Sequence, residues 1–317
     1  MKLVVGDIGG THARFAIAEL DGAERPTIGP MKRYRTREYP GLAAAWAKFA
    51  ADIAEPLPEA AALAVAAPIE GDELRFMNSD WRIPRHAIAG ELGLDRLLLL
   101  NDFGAVAHAV SILGPDELAP ICGPEALPSE GGISVIGPGT GLGVALLLRR
   151  RGDATVVETE AAHIGFAPLD PEEEALSDTL TALYGRASLE RIVSGPGLID
   201  IYRHLGGGDW DPHQAGDLWT AAIDGSDGLA VHALDTLVRC FGAGAGDISL
   251  AHGAMGVAIT GGLANRIVHL LRSPMFAARF TAKGRYRERM QRVPVQLVTY
   301  AEPGLLGAAV AFQREGG

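Results

Sequence analysis

The chain has 317 residues and a formal net charge of −11 at pH 7, with 48% hydrophobic and 21% charged residues. This is the composition of a globular protein with one large or two ordinary domains. The densest basic run is Arg149-Arg150-Arg151, so no nucleic-acid partner is expected. No run of about 18 apolar residues predicts a membrane span. The two cysteines form no Cys-x-x-Cys pair, which fits a reducing cytoplasm.

The first two predicted elements are strands joined by a glycine-rich turn. Residues 3–8 and 13–20 have the composition of strands, and the sequence Gly6-Asp7-Ile8-Gly9-Gly10-Thr11 lies at their junction. Because a strand and not a helix follows the glycines, the turn is predicted to be a hairpin tip and not a P-loop or a dinucleotide fingerprint. Glycines let backbone N–H groups approach an anion, and Thr11 adds a hydroxyl donor. An ordinary hairpin turn is the alternative for this motif alone.

The elements after the hairpin have the order of a ribonuclease-H-like fold. A third strand is predicted over 27–36, an amphipathic helix over 41–54, a buried strand over 61–67 and a strand over 74–78. A short helix opens at Pro84 and stops at Gly93. The apolar run 96–100 predicts a central parallel strand. This strand delivers Asn101 and Asp102 at its carboxyl end, where α/β sheets bind ligands.

Beyond residue 110 a related pattern begins again. The proline- and glycine-rich stretch to 132 predicts a domain crossover, and 133–149 predicts a second hairpin with the turn Gly139-Thr140-Gly141. A helix starts at Asp170, with Leu176, Leu180 and Leu183 as its buried stripe. A mobile loop over 206–217, a helix over 226–252, strands over 256–260 and 294–299, and a helix over 304–314 follow.

Three glycine turns in this order indicate a duplicated nucleotide-binding domain. The two hairpins share a strand–turn–strand pattern and are about 130 residues apart. The third turn, Gly261-Gly262, follows a strand and opens a helix, which would present a flat backbone surface to a base or ribose. Each signal is weak by itself. Together they predict a nucleotide held between two related halves.

Two polar residues after the 96–100 strand are candidates for catalysis. Phosphoryl transfer needs aligned reactants, neutralised charge and a base near the attacking oxygen. A carboxylate is ionised at neutral pH and can accept a proton, which makes Asp102 the candidate base. Asn101 can both donate to and accept from hydroxyls. On local sequence alone a helix N-cap is the favoured alternative, since the residues from Phe103 onward are predicted to be helical.

A second polar cluster consists of Glu160 and His163, which are three residues apart. Glu-x-x-His is also half of a di-metal site in helical bundles, but that site needs two copies of the motif and the sequence shows one. A surface acid and a structural histidine are the other alternative.

Four motifs together resemble the bacterial glucokinases, which belong to the superfamily of sugar kinases, actin and heat-shock ATPases. They are Gly-Asp-Ile-Gly-Gly-Thr-His-Ala-Arg-Phe at 6–15, Leu-Asn-Asp-Phe at 100–103, Gly-Thr-Gly-Leu-Gly at 139–143 and Ser-Gly-Pro-Gly at 194–197. The resemblance covers essentially the whole chain. It implies an α/β fold of two ribonuclease-H-like (actin-like ATPase) domains with an active-site cleft between them. The small domain would be 1–110 plus 301–317, and the large domain 111–300.

The resemblance also implies an activity and a set of site residues. The activity is ATP-dependent phosphorylation of D-glucose at the 6-hydroxyl, with Asp102 as general base. The implied ligands of the sugar are Asn101, Glu160, His163, Glu190 and, after the 74–78 strand, Asn78. The implied ATP site, with Mg²⁺ carried by the nucleotide near Asp7, consists of Gly6, Asp7, Ile8, Gly9, Gly10, Thr11, Gly139, Thr140, Gly141, Gly261 and Gly262.

One departure from the family concerns Ala161-Ala162, which stands where the family often has two glycines. The departure leaves the neighbouring polar residues in place. Other bacterial glucokinases have a cysteine-rich zinc motif that this chain lacks, so the only implied metal is the Mg²⁺ of ATP. The resemblance further implies a cytoplasmic homodimer.

Three alternatives remain open at the level of sequence. An actin-like or chaperone-like ATPase would use the same fold without a sugar substrate. A sugar-responsive repressor would need an added helix-turn-helix, whereas this sequence begins with the first strand. A kinase of another hexose would differ only in its acceptor.

Overall fold

The computed structural model describes residues 1–22, 25–67, 71–76, 81–208 and 215–315. Its strands are β1 Lys2–Ile8, β2 His12–Glu19, β3 Thr27–Ile28, β4 Lys32–Arg35, β5 Ala60–Val65, β6 Glu73–Arg75, β7 Arg82–Pro84, β8 Arg96–Asn101, β9 Leu118–Cys122, β10 Gly131–Pro138, β11 Leu142–Arg150, β12 Asp153–Thr159, β13 Gly256–Ile259 and β14 Val295–Val298. Its helices are α1 Leu42–Asp52, α2 Ile88–Leu92, α3 Asp102–Val110, α4 Pro171–Tyr184, α5 Leu189–Ile192, α6 Gly195–His204, α7 Ala215–Asp224, α8 Gly228–Ala251, α9 Gly262–Arg266, α10 Val268–Leu271, α11 Pro274–Thr281, α12 Arg287–Met290 and α13 Pro303–Glu315. None of the helices in these ranges is long and apolar enough to cross a membrane.

The chain divides into two compact units, each with its own sheet and core. Unit 1 consists of Met1–Leu113 and Tyr300–Gly317, and unit 2 consists of Gly114–Thr299. Unit 1 is therefore discontinuous in sequence, whereas unit 2 is a single continuous segment.

The sheet of unit 1 brings three strand ends to one edge. Its strand order is β3-β2-β1-β5-β8, and β4 also pairs with β2. β1 pairs antiparallel with β2 and parallel with β5, and β5 pairs parallel with β8. The register aligns Ile8 with Val65 and Val65 with Asn101. The first glycine turn and Asn101 therefore lie at the same edge of this sheet, the carboxyl edge of its parallel strands.

Hydrophobic layers cover both faces of the unit 1 sheet. On one face Phe15 packs against Trp46 and Phe49 of α1, with ring centroids 5.6 and 5.4 Å apart. On the other face Leu305 and Phe312 of α13 belong to the buried cluster that covers β1 and β5. Because both faces are covered, every residue of β5 is buried, which is why this strand is apolar without alternation.

The position of β8 differs from the prediction of a central strand. β8 forms the edge of the sheet, and Leu97, Leu98 and Leu99 are only half-buried. An apolar run predicts burial, but the place of a strand within a sheet depends on pairing with distant segments, which the run itself does not encode.

The last helix of unit 1 contacts α3 through its backbone. A Cβ atom at Gly307 would lie 1.6 Å from the carbonyl oxygen of Ala105, so α13 and α3 can approach this closely only because residue 307 is glycine. Further along the same helix pair, Arg314 Nη2 donates to Ser111 Oγ (2.9 Å).

The sheet of unit 2 repeats the pairing pattern around its strand β10. The strand order is β12-β11-β10-β13-β14-β9, with β10 antiparallel to β11 and parallel to β13. Ile136 is aligned with Ile259, so the second and third glycine turns follow strands that end at the same edge. The long helix α8 packs on α11 in the core, where the rings of Phe241 and Phe276 are 5.5 Å apart.

Two strands of unit 2 were not predicted. β9 lies inside the predicted crossover and pairs antiparallel with β14, while β12 pairs with β11. Pro120 is tolerated in β9 because this strand forms an edge of the sheet. Leu183 was predicted to be buried and is 63% exposed, because it lies in the last turn of α4, beyond Leu176 and Leu180, which do join the core.

The remaining predicted elements agree with the structure to within two residues at each end, with four exceptions. The helix predicted from Pro84 to Gly93 is α-helical only over Ile88–Leu92, after a 3₁₀ turn over Arg85–Ala87. The strand over 27–36 is divided into β3 and β4 by Gly29-Pro30, because proline has no N–H for the ladder. The strand over 74–78 ends at Arg75, and Asn78 lies outside the described residues. Residues 209–214 of the predicted 206–217 loop also lie outside them, and residues 215–217 are helical, since α7 begins at Ala215.

We expect Gly307→Ala to destabilise unit 1. The added methyl group cannot remain 1.6 Å from Ala105 O, so α13 must move away from α3, and overpacking of this kind costs about 1–3 kcal/mol. Denaturant unfolding measures the difference.

The matched control is Gly90→Ala in α2 of the same unit, where a Cβ meets nothing within 4 Å. Alanine in a helix is favoured over glycine by about 0.5–1 kcal/mol, so this variant should be as stable as the parent or more stable. Equal stability of the two variants would contradict the close approach of α13 and α3.

Candidate active site

The tip of the first hairpin is held by Thr36. Its Oγ1 donates to the carbonyl oxygen of Gly10 (2.6 Å), and its N–H donates to the carbonyl oxygen of Thr11 (3.1 Å). The N–H of Gly9 closes the turn by donating to His12 O (2.9 Å). The carbonyl and N–H of a trans peptide point in opposite directions, so the N–H of Thr11 points away from Thr36. This orientation suits a turn that binds an anion.

Asp7, at the end of β1, belongs to a cluster of two acids and two arginines. Arg14 Nη1 donates to Asp7 Oδ2 (2.9 Å), and Arg14 Nε and Arg33 Nη2 lie 3.6 and 3.7 Å from the carboxylate of Glu302. Burial raises the pKa of Asp7 and of Glu302, and the charge of Arg14 opposes both increases. α13 starts against this cluster, since a Cβ at Gly304 would lie 3.3 Å from Asp7 Cγ.

The predicted base lies at the N-terminus of α3. Asn101 is the N-cap of this helix, because its Oδ1 accepts from the N–H groups of Phe103 (2.8 Å) and Gly104 (3.1 Å). Asp102 is the first helical residue, and its Oδ1 also accepts from the Phe103 N–H (2.9 Å). The helix-cap alternative is therefore correct for Asn101 but not for Asp102, because the helix begins one residue earlier than Phe103. Asp102 stands at the positive end of the helix dipole, which favours a carboxylate.

The tip of the second hairpin is held from two sides. Gly195, the first residue of α6, donates its N–H to the carbonyl oxygen of Gly139 (2.8 Å). On the other side, the N–H of Leu142 donates to Oε2 of Glu190 (3.0 Å). Within the turn, the N–H of Gly139 donates to the carbonyl oxygen of Gly141 (2.7 Å). This turn is thus fixed by partners from α5 and α6.

The structure brings together the three predicted sugar ligands of unit 2. His163 Nε2 lies 3.6 Å from Glu160 Oε2, and His163 Nδ1 lies 3.9 Å from Glu190 Oε1. The side chain of Glu160 is 74% exposed and that of Glu190 is 21% exposed. Two carboxylates and an imidazole offer several acceptors and a donor, which suits a ligand with many hydroxyls.

The third glycine turn lies against the second hairpin. Gly261 has a φ of +99°, a left-handed conformation that favours glycine. A Cβ at this position would also lie 2.8 Å from the carbonyl oxygen of Pro138, the last residue of β10. The side chain of Asn265 donates to Gly261 O (3.1 Å) and fixes the start of α9.

Among the residues of the candidate site that the sequence analysis missed are Arg14, Thr36 and Glu302. The pairing of Arg14 with Asp7 could have been predicted from the sequence, because the register of the first hairpin places the two residues directly opposite each other. Thr36 and Glu302 carried no such signal, since each reaches its partner only through the tertiary fold.

The comparison with known proteins assigns the chain to a family. The glucokinase family model matches residues 4–315. The chain belongs to the glucokinase family. It is 46% identical over 316 residues to a glucokinase of Zymomonas mobilis subsp. mobilis, with 98% of each chain covered.

Solved structures extend the comparison. The structure of a glucokinase from an Antarctic psychrotroph is 29% identical, with a TM-score of 0.84 and 99% of each chain covered. A ROK family glucokinase from Streptomyces griseus, solved with glucose and AMPPNP, is 20% identical, with a TM-score of 0.62 and 98% of each chain covered. The second likeness shows that this chain has the fold of the ROK sugar kinases.

We expect Asn101→Ala to destabilise unit 1 by about 1 kcal/mol, because it removes the N-cap of α3. Asn101→Asp is the matched control, since a carboxylate oxygen can accept from the same two N–H groups and aspartate caps as well as asparagine. Chemical denaturation compares the two. If the alanine variant were as stable as the aspartate variant, the cap would be energetically unimportant.

Proposed function

We propose that this chain catalyses the ATP-dependent phosphorylation of D-glucose at the 6-hydroxyl, giving glucose 6-phosphate and ADP. The observation that carries the proposal is the position of Asp102, directly after a strand that ends at the same sheet edge as the first glycine–threonine hairpin. A base and a phosphate-binding turn are the two parts that this reaction needs close together. Membership of the glucokinase family supports glucose as the acceptor.

In the proposed reaction Asp102 accepts the proton of the 6-hydroxyl while the hydroxyl oxygen attacks the γ-phosphorus of ATP. One O–P bond forms, and the bond from the γ-phosphorus to the bridging oxygen breaks. ADP leaves with the electron pair of that bond. Because the transition state of phosphoryl transfer is loose, most of the catalysis comes from positioning and charge neutralisation.

We assign recognition of the sugar hydroxyls to Asn101 in unit 1 and to Glu160, His163 and Glu190 in unit 2. The Oδ1 of Asn101 serves the α3 cap, so its proposed contribution is the NH₂ group, which can only donate. The mutual approach of the three unit 2 side chains supports their assignment to one ligand. Asn78 remains a proposed fifth ligand.

We assign the phosphates of ATP to the two hairpin tips, with the adenosine against Gly261-Gly262. At the first tip the chain offers backbone N–H groups, which suit phosphate oxygens. It also offers the Thr11 hydroxyl and the Asp7 carboxylate, and oxygen ligands of this kind suit Mg²⁺. Mg²⁺ carried by the nucleotide would neutralise charge on the phosphates. No three His, Cys, Asp or Glu side chains among the described residues are grouped to hold a metal by themselves, and Asp7 is already paired with Arg14. The residues therefore fit a metal that arrives with the phosphates.

The remaining assignments are also proposals. Two cysteines, Cys122 and Cys240, are too few for a cysteine-rich zinc motif, which supports the group of glucokinases without zinc. We further propose that the protein works as a cytoplasmic homodimer.

ADP formation by the purified protein should require glucose. A coupled ADP assay with Mg²⁺-ATP, run with glucose, with mannose, fructose and N-acetylglucosamine, and without sugar, measures the requirement. We expect the highest kcat/KM with glucose and slow hydrolysis without sugar, because the acceptor completes the site. An equal rate with and without every sugar would support the ATPase alternative instead.

Asp102→Asn should lower kcat by about 10²- to 10⁴-fold, the usual contribution of a general base. Glucose affinity, measured by calorimetry, should largely survive because the amide keeps the size and the acceptor oxygen of the carboxylate. The matched control is Asp95→Asn, the same chemical change at the exposed, opposite end of β8. An Asp102→Asn variant with more than half of the parent kcat would exclude Asp102 as the base.

A further inference from the structure

The 188–197 segment, which consists of α5, the start of α6 and their caps, contacts two parts of the candidate site. It supplies both partners of the second hairpin tip, Glu190 and Gly195. It also pairs with the two residues that follow His163. The N–H of Leu189 donates to the carbonyl oxygen of Ile164 (3.0 Å), and Ser188 forms a β-bridge with Gly165. The segment therefore links the phosphate turn of unit 2 to its sugar-ligand cluster.

Glu190 makes this link with its two carboxylate oxygens. Oε2 accepts from the N–H of Leu142 in the hairpin (3.0 Å), while Oε1 faces His163 Nδ1 at 3.9 Å. A hydrogen bond to a carboxylate is charge-assisted and about twice as strong as one between neutral groups. Because one rigid group makes both contacts, Glu190 cannot turn toward a sugar hydroxyl without changing its contact with the hairpin.

Gly141 leaves room for the Glu190 carboxylate to contact the hairpin. A Cβ at position 141 would lie 2.5 Å from Glu190 Oε2, so a larger residue would force the carboxylate away. Gly139, at the other end of the same turn, has nothing within 4 Å of its Cβ position. The absence of a side chain at Gly141 therefore makes room for Glu190.

We propose that Glu190 is a positioning residue for the second phosphate-binding turn, in addition to its proposed contact with the sugar. It fixes the Leu142 end of the turn and couples the binding of nucleotide phosphates to the binding of a hexose within unit 2. By linkage, the sugar changes the affinity for nucleotide by the same factor as the nucleotide changes the affinity for sugar. The inference rests on the proposed function for the identity of the two ligands, but not for the effect of Glu190 on the turn.

The effect on the turn is tested without any ligand, by hydrogen exchange of the Leu142 amide in the full-length protein. Glu190→Ala should accelerate this exchange about tenfold or more, since a hydrogen bond to a charged group is lost. Glu190→Gln should restore most of the protection, because the amide oxygen still accepts. Glu160→Ala, which removes the exposed acid of the same cluster, should leave the exchange rate of Leu142 unchanged. Unchanged exchange in Glu190→Ala would overturn the inference.

The consequence for nucleotide is tested by calorimetry with AMPPNP and Mg²⁺ in the absence of sugar. Glu190→Ala should weaken AMPPNP about tenfold, and Glu190→Gln should bind it within about twofold to threefold of the parent. Glucose affinity should fall in both variants, because the glutamine loses the charge that pairs with the sugar hydroxyls. A residue that served only the sugar would leave AMPPNP affinity unchanged in Glu190→Ala, and that result would also overturn the inference.

Two alanine substitutions in the same turn give an independent comparison. Gly141→Ala should weaken both AMPPNP and glucose, because it displaces Glu190. Gly139→Ala should weaken AMPPNP alone, because residue 139 is a proposed phosphate contact and its added methyl group, with nothing within 4 Å, does not displace Glu190. Loss of glucose affinity in both variants, or in neither, would contradict the role of Gly141. Failure of the proposed function has a different signature, which is a parent protein that forms no ADP with any sugar.

Discussion

In each unit the arrangement depends on one strand that is antiparallel to one neighbouring strand and parallel to the other. β1 is antiparallel to the strand after it and parallel to β5, and β10 is antiparallel to β11 and parallel to β13. An antiparallel partner makes the end of the strand a hairpin tip, while a parallel partner places the ends of other strands beside that tip. In each unit a glycine–threonine turn therefore shares a sheet edge with a second segment. In unit 1 this segment carries the polar side chains of Asn101 and Asp102, whereas in unit 2 it is the glycine turn Gly261-Gly262, which offers only backbone groups.

Each turn also has one carboxylate close to it, and the two carboxylates are stabilised differently. Asp7 is paired with the guanidinium of Arg14, which offsets the cost of burying an acid. Glu190 is held by a backbone amide and stays partly exposed, so solvent also contributes to its stabilisation. The acid of the first turn is thus fixed by a neighbour within the same hairpin, whereas the acid of the second turn comes from a helix about 50 residues further along the chain.

This difference explains how much of the site could be predicted from sequence. Local signals were sufficient for the turns and for Asn101-Asp102, because alternation, glycine spacing and a helix start are encoded by neighbouring residues. The contact of Gly141 with Glu190 has no local signal, and the sequence alone suggested that Gly141 serves only a phosphate. For the same reason the edge position of β8 and the strand β9 were missed, since pairing partners far apart in sequence decide both. The family resemblance implied that Glu190 contacts the sugar, but it did not imply that the hairpin is a partner of Glu190.

The discontinuity of unit 1 has a consequence for the synthesis of the chain. One face of the unit 1 sheet is covered by Leu305 and Phe312 of α13, which are translated after all of unit 2. Domains generally fold as they emerge from the ribosome, so unit 2 can complete its core while one apolar face of the unit 1 sheet still lacks its cover. Unit 2 can therefore complete its fold before unit 1, although unit 1 begins first in the sequence, and this face of the unit 1 sheet gains the side chains of α13 only when the end of the chain is released.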